Sequence, residues 1–412
     1  MTDFKTGKGQ TVCMERDNIS SIVEQDKCCG CSACIQICPW KALSYGEDSY
    51  GFVIPELDFE KCVMCGACIQ ICPSVTRNKK EVRKAYGAMA VNEEMRKKGS
   101  SGGIFGVLAD YVLRKDGVVY GCTMDKKFQV RHVRITDSSE LSRIMKSKYV
   151  QSDMKNIYLQ IKSDLQEGKK VMFAGTPCQV SAVDNFIVEK ENLITVDVVC
   201  HGIPSQRFFD SYLADLSKKI GEITSYTFRA KRSADNGMNW FFSYVSKKKR
   251  KRVFRNWPED TFNYLYMKSY IYRESCYQCN YAEESRAGDI TLCDYWSWER
   301  YHREFSQGNT VSAILVNSSK GEYLIEAVRE KLQRVPAKME NIKRHNSCLI
   351  RPSERPKERD TIFEFWKENG FEELDREYRK RNKNAIRKYA LMRKIPQRLM
   401  NVFVFLRLKI KG

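Results

Sequence analysis

Between Cys28 and Pro73 the chain spells one cysteine run twice, CCGCSACIQICP and CVMCGACIQICP, and no other feature constrains its fold as tightly. In each copy three cysteines fall within seven residues, Cys28, Cys31 and Cys34, then Cys62, Cys65 and Cys68, so a single loop can wrap one compact metal group. A fourth cysteine precedes proline in both copies, Cys38 and Cys72. This is the spacing of the bacterial two-cluster ferredoxin run, in which the fourth thiolate crosses to the other cluster. The expected ligand sets are therefore Cys28, Cys31, Cys34 and Cys72 for one 4Fe-4S cluster, and Cys62, Cys65, Cys68 and Cys38 for the other. Structural zinc is the competing reading, but it takes two separated CxxC knuckles and has no use for three close thiolates plus Cys-Pro. Cys29 is an extra thiol beside a ligand and receives no role. Between the copies, Ala42 to Tyr45 and Gly51 to Ile54 read as short strands about a turn at Gly46-Glu47-Asp48.

Seventeen cysteines in 412 residues would suggest a disulfide scaffold in a short secreted chain. Here they are bunched at metal-ligand spacing, and the polar opening Met1-Thr2-Asp3-Phe4-Lys5 has no apolar leader core, so a reducing, cytoplasmic setting is expected. No apolar run approaches the ~18–20 residues that cross a bilayer. The net charge of +20 is uneven: from Arg376 to Gly412 there are thirteen Lys or Arg against Glu377 alone.

Thr76 to Arg83 is polar and basic, which suits a linker, and a new domain is expected near Lys84. That domain alternates helix and strand patterns: helix Ile104 to Arg114, strands Val118 to Cys122 and Gln129 to Ile135, then a helix Met154 to Gln166 capped by Ser152 or Asp153. Strands Lys170 to Ala174 and Leu193 to Val199 follow with a helical segment between them, so the class is α/β. Ile223 to Arg229, Trp240 to Val245 and Arg252 to Arg255 then read as an added antiparallel section with the basic run Lys247 to Arg252 at a hairpin. Such a run resembles a nucleic-acid patch, but a solvated hairpin tip accounts for it and no nucleic-acid partner is expected. Thr261 to Tyr272 and Gly321 to Leu332 read as helical, Ile290 to Leu292 and Val311 to Asn317 as strands.

The expected organisation is an α+β ferredoxin-like module over 20–80, an α/β flavin-binding domain whose two parts are 84–205 and 206–360, and a basic amphipathic helical tail over 372–412. The tail mixes its charge with Leu399, Met400, Val402, Phe403, Phe405 and Leu406, the composition of an interfacial helix drawn to anionic lipid, so peripheral membrane or partner contact is expected of it.

A second cysteine set lies beyond the linker. Cys178 and Cys200 each sit just after a predicted strand, and strand ends in an open α/β sheet line the ligand crevice. Cys276 and Cys279 bring the set to four, enough for a third cluster or a zinc; the competing reading is two buried cysteines and an unrelated CxxC. Cys13, Cys122, Cys293 and Cys348 fit no ligand pattern and read as small apolar side chains. Ser100-Ser101-Gly102-Gly103 before an apolar helix offers free N–H groups where a phosphate is favoured, although a plain cap would look the same.

Taken in order behind a two-cluster module, SSGG, KSKYVQS, FAGTPCQ, CHGIPS and CYQCNYAEESRAGDITLCDYW resemble the coenzyme F420 hydrogenase/dehydrogenase beta-subunit family over the chain to about Arg359. The resemblance implies an iron–sulfur flavoprotein that binds FAD and exchanges electrons with a partner molecule at the flavin. Members act on the deazaflavin coenzyme, relatives reduce chlorophyll-type pigments, and similar proteins are encoded with bacterial surface-polysaccharide enzymes. Position by position, it implies Cys178, Cys200, Cys276 and Cys279 as cluster ligands and Ser101, Gly102, Gly103, Lys148, Tyr149, Thr176 and Gln179 near FAD. The chain departs from the pattern at Ser147 and at Cys293, where the family carries glycine, which puts Asp294 and Trp296 in doubt as site residues.

The expected activity is oxidoreduction, with a ferredoxin-type donor, 4Fe-4S clusters, FAD as converter between one- and two-electron carriers, and an unidentified small-molecule acceptor or partner enzyme. His201 is the candidate proton donor, against a purely structural histidine. The alternative is an electron-transfer subunit without its own substrate site, docked on a separate catalytic protein.

Overall fold

The structure is a computed structural model that describes residues 18–231, 241–248, 250–305 and 310–392. Its first hairpin pairs β1 (Leu43–Glu47) with β2 (Val53–Leu57) antiparallel. Gly46 and Glu47, expected in the turn, lie within β1; the reversal falls at Asp48, whose carboxylate accepts from the N–H groups of Tyr50 and Phe52. The side chain that closes the turn thus sits two residues beyond the glycine that suggested it.

Five strands follow, β3 (Lys84–Ala90), β4 (Val118–Met124), β5 (Val130–Ile135), β6 (Val171–Gly175) and β7 (Leu193–Val198). Next come β8 (Ile223–Ala230), β9 (Phe241–Ser246) and β10 (Val253–Arg255), then β11 (Ile290–Asp294), β12 (Ser312–Val316) and β13 (Leu332–Pro336). β8 to β10 form the expected three-stranded antiparallel section.

The other eight strands make one sheet in the order β13-β3-β12-β11-β7-β6-β4-β5. Only its centre is parallel, β11 with β7, β7 with β6 and β6 with β4; the remaining pairs are antiparallel, so the sheet is mixed. Strands from both expected parts of the domain, before and after residue 206, hydrogen-bond within it.

Alternation along the strands explains the two-sided core. Val119 and Met172 pack with Ile104, Val107 and Leu108 of helix Ile104–Leu113, whereas Tyr120, Val171 and Phe173 pack on the opposite face with Ile157, Ile161, Val180 and Val183. These come from helices Ile157–Gln166 and Pro177–Phe186. The first of them starts three residues later than expected and is entered through Asn156 in a left-handed conformation (φ 61°). Neither expected cap serves it: Ser152 hydrogen-bonds His132, and the Asp153 backbone pairs with Val130 and His132 beside β5.

Two further expectations are corrected at the C-terminal half. The helix expected through Leu332 ends at Ala327, and Leu332 opens β13 on the sheet edge; the helix expected to Tyr272 ends at Met267. Helix Arg359–Arg381 runs past Glu372 and bends at Gly370, where φ is 77°. Trp366, Phe371, Leu374 and Tyr378 are buried, and the first three pack in an aromatic core with Phe208, Tyr212 and Phe262, so the tail is docked at least to Tyr378. Helix Lys383–Met392 continues it; the tail's apolar residues Leu399 to Leu406 lie outside the described residues, as does Cys13. Among the described residues no helix is long and apolar enough to cross a membrane.

Candidate functional site

The two cysteine runs fold into matching loops. The residues flanking the middle cysteine are left-handed in both copies, Gly30 and Ser32 (φ 66° and 63°) around Cys31, Met64 and Gly66 (φ 53° and 76°) around Cys65. A non-glycine residue rarely adopts this conformation, and repeating it at equivalent positions curls each loop around a centre.

Each centre is a cavity. One is walled by Cys28, Cys31, Cys34 and Cys72 with Ile19, Val53 and Pro55; the other by Cys38, Cys62, Cys65 and Cys68 with Trp40, Leu43 and Leu57. Each cavity therefore takes its fourth cysteine from the other repeat. Burial and the nearby Cys28, Cys72 and Cys68 push the Cys34 thiol well above its ordinary range, because neighbouring thiolates repel without a cation between them. Four such sulfurs in an apolar wall fit a 4Fe-4S cluster, whose iron supplies that positive charge.

The two cavities differ in surroundings. Cys65 is exposed, whereas Cys31, Cys34 and Cys72 are buried. The backbone of the inner loop is bolted to the larger body: Cys28 O accepts from Arg273 Nη1 (3.1 Å) and Ser275 Oγ (3.0 Å), Gly30 O from Gln151 Nε2 (3.0 Å), and Cys31 O from Tyr158 Oη (2.8 Å). Tyr281 Oη reaches Pro73 O at 2.7 Å. A Cβ on Gly30 would lie 2.1 Å from Gln151 Nε2, so glycine is required for this approach. The equivalent Gly66 of the outer loop has nothing within 4 Å of such a Cβ.

The second cysteine set also converges. β6 and β7 are parallel neighbours, and Cys178 and Cys200 follow them at the same, carboxyl end of the sheet. Burial first, then the proximity of Cys276, Cys178 and Cys279, raises the Cys200 thiol. For the same reasons, burial and then a neighbouring thiol, Cys276 is pushed up to about 12 and Cys279 to about 11. Mutual repulsion among four gathered thiols is what a metal cluster would relieve.

Three pieces of local chemistry hold this set. Thr176 and Gln179 close a capping box at the start of helix Pro177–Phe186, with Thr176 Oγ1 3.2 Å from Cys178 Sγ. Gln179 Nε2 donates to Ser152 Oγ (2.8 Å), which donates to His132 Nδ1 (3.0 Å), whose Nε2–H donates to Ala174 O (3.0 Å). Burial pushes the His132 imidazole down to about 4, so the ring is neutral. Finally Arg286, 1% exposed, binds Asp197 Oδ2 (3.3 Å), Val198 O (3.2 Å), Tyr281 O (2.9 Å) and Glu283 O (3.0 Å), tying the end of β7 to the segment after Cys279.

Cys348, expected to be an inert apolar side chain, sits 3.5 Å from His201 Nδ1. His201 holds its thiol below the ordinary cysteine range, even against the effect of burial, and Cys348 in turn raises His201.

Of the residues expected near FAD, the structure brings Ser101, Gly102, Gly103 and Lys148 to one region, and adds Lys146, which opens the KSKYVQS motif without an assigned role, and Lys231, which lay outside every motif. Ser147 N and Oγ both bond Ser100 Oγ (2.8 and 3.1 Å), joining the two loops. Lys231 Nζ donates to Arg96 O, Ser101 O and Thr310 Oγ1, and Lys148 Nζ to Cys122 O, Arg143 O and Met145 O, all neutral acceptors. Burial, then nearby cations, pushes Lys231 down to about 7, and burial pushes Lys148 down to about 8. Tyr149 stacks on Tyr266 at 4.5 Å against the aromatic core with its hydroxyl toward Arg229 and Ser147, and Thr176 and Gln179 are occupied in the cap that precedes Cys178. Asp294 is engaged by both terminal nitrogens of Arg229 (2.7 and 3.2 Å).

The profile of the 4Fe-4S dicluster domain matches residues 27–75. Two profiles describe the beta chain of coenzyme F420 hydrogenase/dehydrogenase; the one for its N-terminal part matches 85–158, and the one for its C-terminal part matches 168–340. No curated protein matches the chain. Among solved structures, a chain of the xenon-derivatised F420-reducing NiFe hydrogenase complex from Methanosarcina barkeri aligns at 15% identity with a TM-score of 0.43, over 72% of this chain and 91% of that one. That likeness is too loose to carry an argument. With both halves of the family profile in order behind a dicluster domain, the chain belongs to the coenzyme F420 hydrogenase/dehydrogenase beta-subunit family.

Proposed function

We propose that this protein is an iron–sulfur flavoprotein oxidoreductase that accepts single electrons at the outer face of its dicluster domain and delivers pairs of them from FAD to a small-molecule acceptor or partner enzyme. Cys28, Cys31, Cys34 and Cys72 would hold the inner cluster, Cys38, Cys62, Cys65 and Cys68 the outer, and Cys178, Cys200, Cys276 and Cys279 a third. Exposure of Cys65 favours the outer set as the face that meets a ferredoxin-type donor.

The observation that carries the FAD reading is a gathering of lysines at the Ser100–Gly103 loop: Lys146 and Lys148 flank Ser147, which bonds Ser100, and Lys231 bonds the Ser101 carbonyl. Two ammonium groups driven down to about 7 and about 8 by burial hydrogen-bond only neutral oxygens, and the first turn of helix Ile104–Leu113 adds its own positive end. A pyrophosphate would supply negative charge there. When bound, FAD converts between one-electron and two-electron carriers. His201, paired with Cys348 beside Cys200, is a candidate to hold a proton for that exchange.

Anaerobic purification with iron, sulfide and flavin quantitation tests the proposal. About twelve irons and one FAD per chain are expected, at about four irons per cubane. Full iron without FAD would favour the other reading, an electron-transfer subunit docked on a separate catalytic protein.

A further inference from the structure

Arg273 stands where the dicluster domain meets the large sheet, and it serves both. Its backbone opens the turn that carries Cys276: its N–H donates to Ile203 O (2.9 Å) and its carbonyl accepts from Cys276 N (3.0 Å). Its side chain runs the other way, into the inner cluster loop. There Nη1 donates to Cys28 O (3.1 Å), and Nη2 donates to Val53 O (2.6 Å) and to Gln151 Oε1 (2.9 Å). Gln151 Nε2 in turn donates to Gly30 O (3.0 Å), so the same cation polarises a second bond to the loop. The ring of the fully buried Phe52 lies 4.9 Å from the guanidinium carbon.

What sets this cation apart is the lack of a counter-charge. Arg273 is 4% exposed, and among the described residues no carboxylate pairs with it; the adjacent Glu274 is taken by Arg355 and Arg359. The other fully buried guanidinium near the cysteines, that of Arg286, has Asp197. A guanidinium does not give up its proton, and burying its charge is unfavourable unless a negative group answers it. The inner cysteine set, Cys28, Cys31, Cys34 and Cys72, is that group when it is a ring of thiolates around iron.

We infer that Arg273 is a positioning residue whose fixed charge, held against the inner loop, raises the reduction potential of the inner cluster and so draws an electron inward from the outer one. The inference rests on the cluster assignments above. A cluster that takes up an electron gains negative charge, so a nearby cation stabilises its reduced form more than its oxidised form, and burial keeps solvent from screening the effect. The outer cavity, with Cys65 at the surface, has no such cation in its wall.

The test uses the full chain, reconstituted anaerobically, as wild type, Arg273→Gln, which can still donate a hydrogen bond but carries no charge, and Arg273→Lys, which keeps the charge. Iron and sulfide are counted, and midpoints are measured by EPR-monitored potentiometric titration, with Cys31→Ser and Cys65→Ser chains assigning the inner and outer signals. Both Arg273 variants are expected to keep the wild-type iron, because Gln151, Tyr158, Ser275 and Tyr281 also grip the inner loop. Arg273→Gln is expected to lower the inner midpoint and leave the outer one unchanged, and Arg273→Lys to restore most of the shift. An inner midpoint unchanged in Arg273→Gln would overturn the proposal. So would one as low in Arg273→Lys as in Arg273→Gln, since the shift would then follow the shape of the side chain and not its charge. Loss of about four irons from Arg273→Gln would make Arg273 a brace of the loop, with the same result, at about four irons per cubane. A wild-type chain with fewer than about eight irons would instead remove the dicluster assignment itself, and the proposal with it, before any variant is compared.

Discussion

Replacing Arg286 by Met should separate the stability of the second cysteine set from that of the dicluster domain. Asp197, with which Arg286 pairs, is fully buried, and its Oδ1 has no hydrogen-bond partner among the described residues. The substitution strands this carboxylate and removes a donor from the carbonyls of Val198, Tyr281 and Glu283. Breaking a buried ion pair from one side costs about 3–5 kcal/mol, a large share of the ~5–15 kcal/mol by which a domain is stable. Denaturant unfolding of the metal-free chain should show that loss. Anaerobic reconstitution should yield about eight irons in place of about twelve, since the ends of β7 and of the Cys279 segment are no longer tied together. Adding Asp197→Leu to the same chain should recover part of the lost stability, because it removes the uncompensated charge. A variant within about 1 kcal/mol of wild type, or a double variant no better than the single one, would refute the assignment of the penalty to the stranded carboxylate.

Crossed ligation predicts that Cys38→Ser and Cys65→Ser abolish the same EPR signal although they lie in different repeats, whereas Cys72→Ser abolishes the one shared with Cys31→Ser; the opposite grouping would make each repeat self-contained. Because Lys231 is held near 7 in the folded state and a free lysine titrates near ~10.4, the unfolded chain binds more protons between those values, so stability of the flavin-free protein should rise with pH across that window. Lys231→Met should flatten the rise, as should saturating FAD if its pyrophosphate restores the ammonium charge; urea midpoints at about pH 7 and about pH 9 measure both. Truncation after residue 392 should abolish co-sedimentation with anionic vesicles while leaving iron content at the wild-type level, and unchanged binding would exclude the tail as the membrane contact.

Local chemistry was the legible part of this chain. The partition of Cys28 to Cys72 into two cavities follows from the spacing of the two cysteine runs, and the strands that precede Cys178 and Cys200 announce themselves by apolar runs. What could not be read depends on partners far away in the chain. β3 and β13 are neighbours across a span longer than most domains, and Leu332 looks like the end of a helix until β3 offers it a strand partner. Lys231, Arg273 and Arg286 lie in polar segments where a basic residue ordinarily means solvent; only the fold shows that each is turned inward onto carbonyls. Cys348 carried no spacing at all, since its partner His201 is distant in sequence.

The exchange of Cys38 and Cys72 between the repeats also fixes an order of completion during synthesis. Neither cavity is whole when the first repeat has emerged; the outer closes at residue 68 and the inner only four residues later, at 72. The groups that grip the inner loop, Gln151, Tyr158, Arg273, Ser275 and Tyr281, arrive much later still. Until then the carbonyls of Cys28, Gly30, Cys31 and Pro73 lack these donors, so the inner loop is fully anchored only once residue 281 is in place.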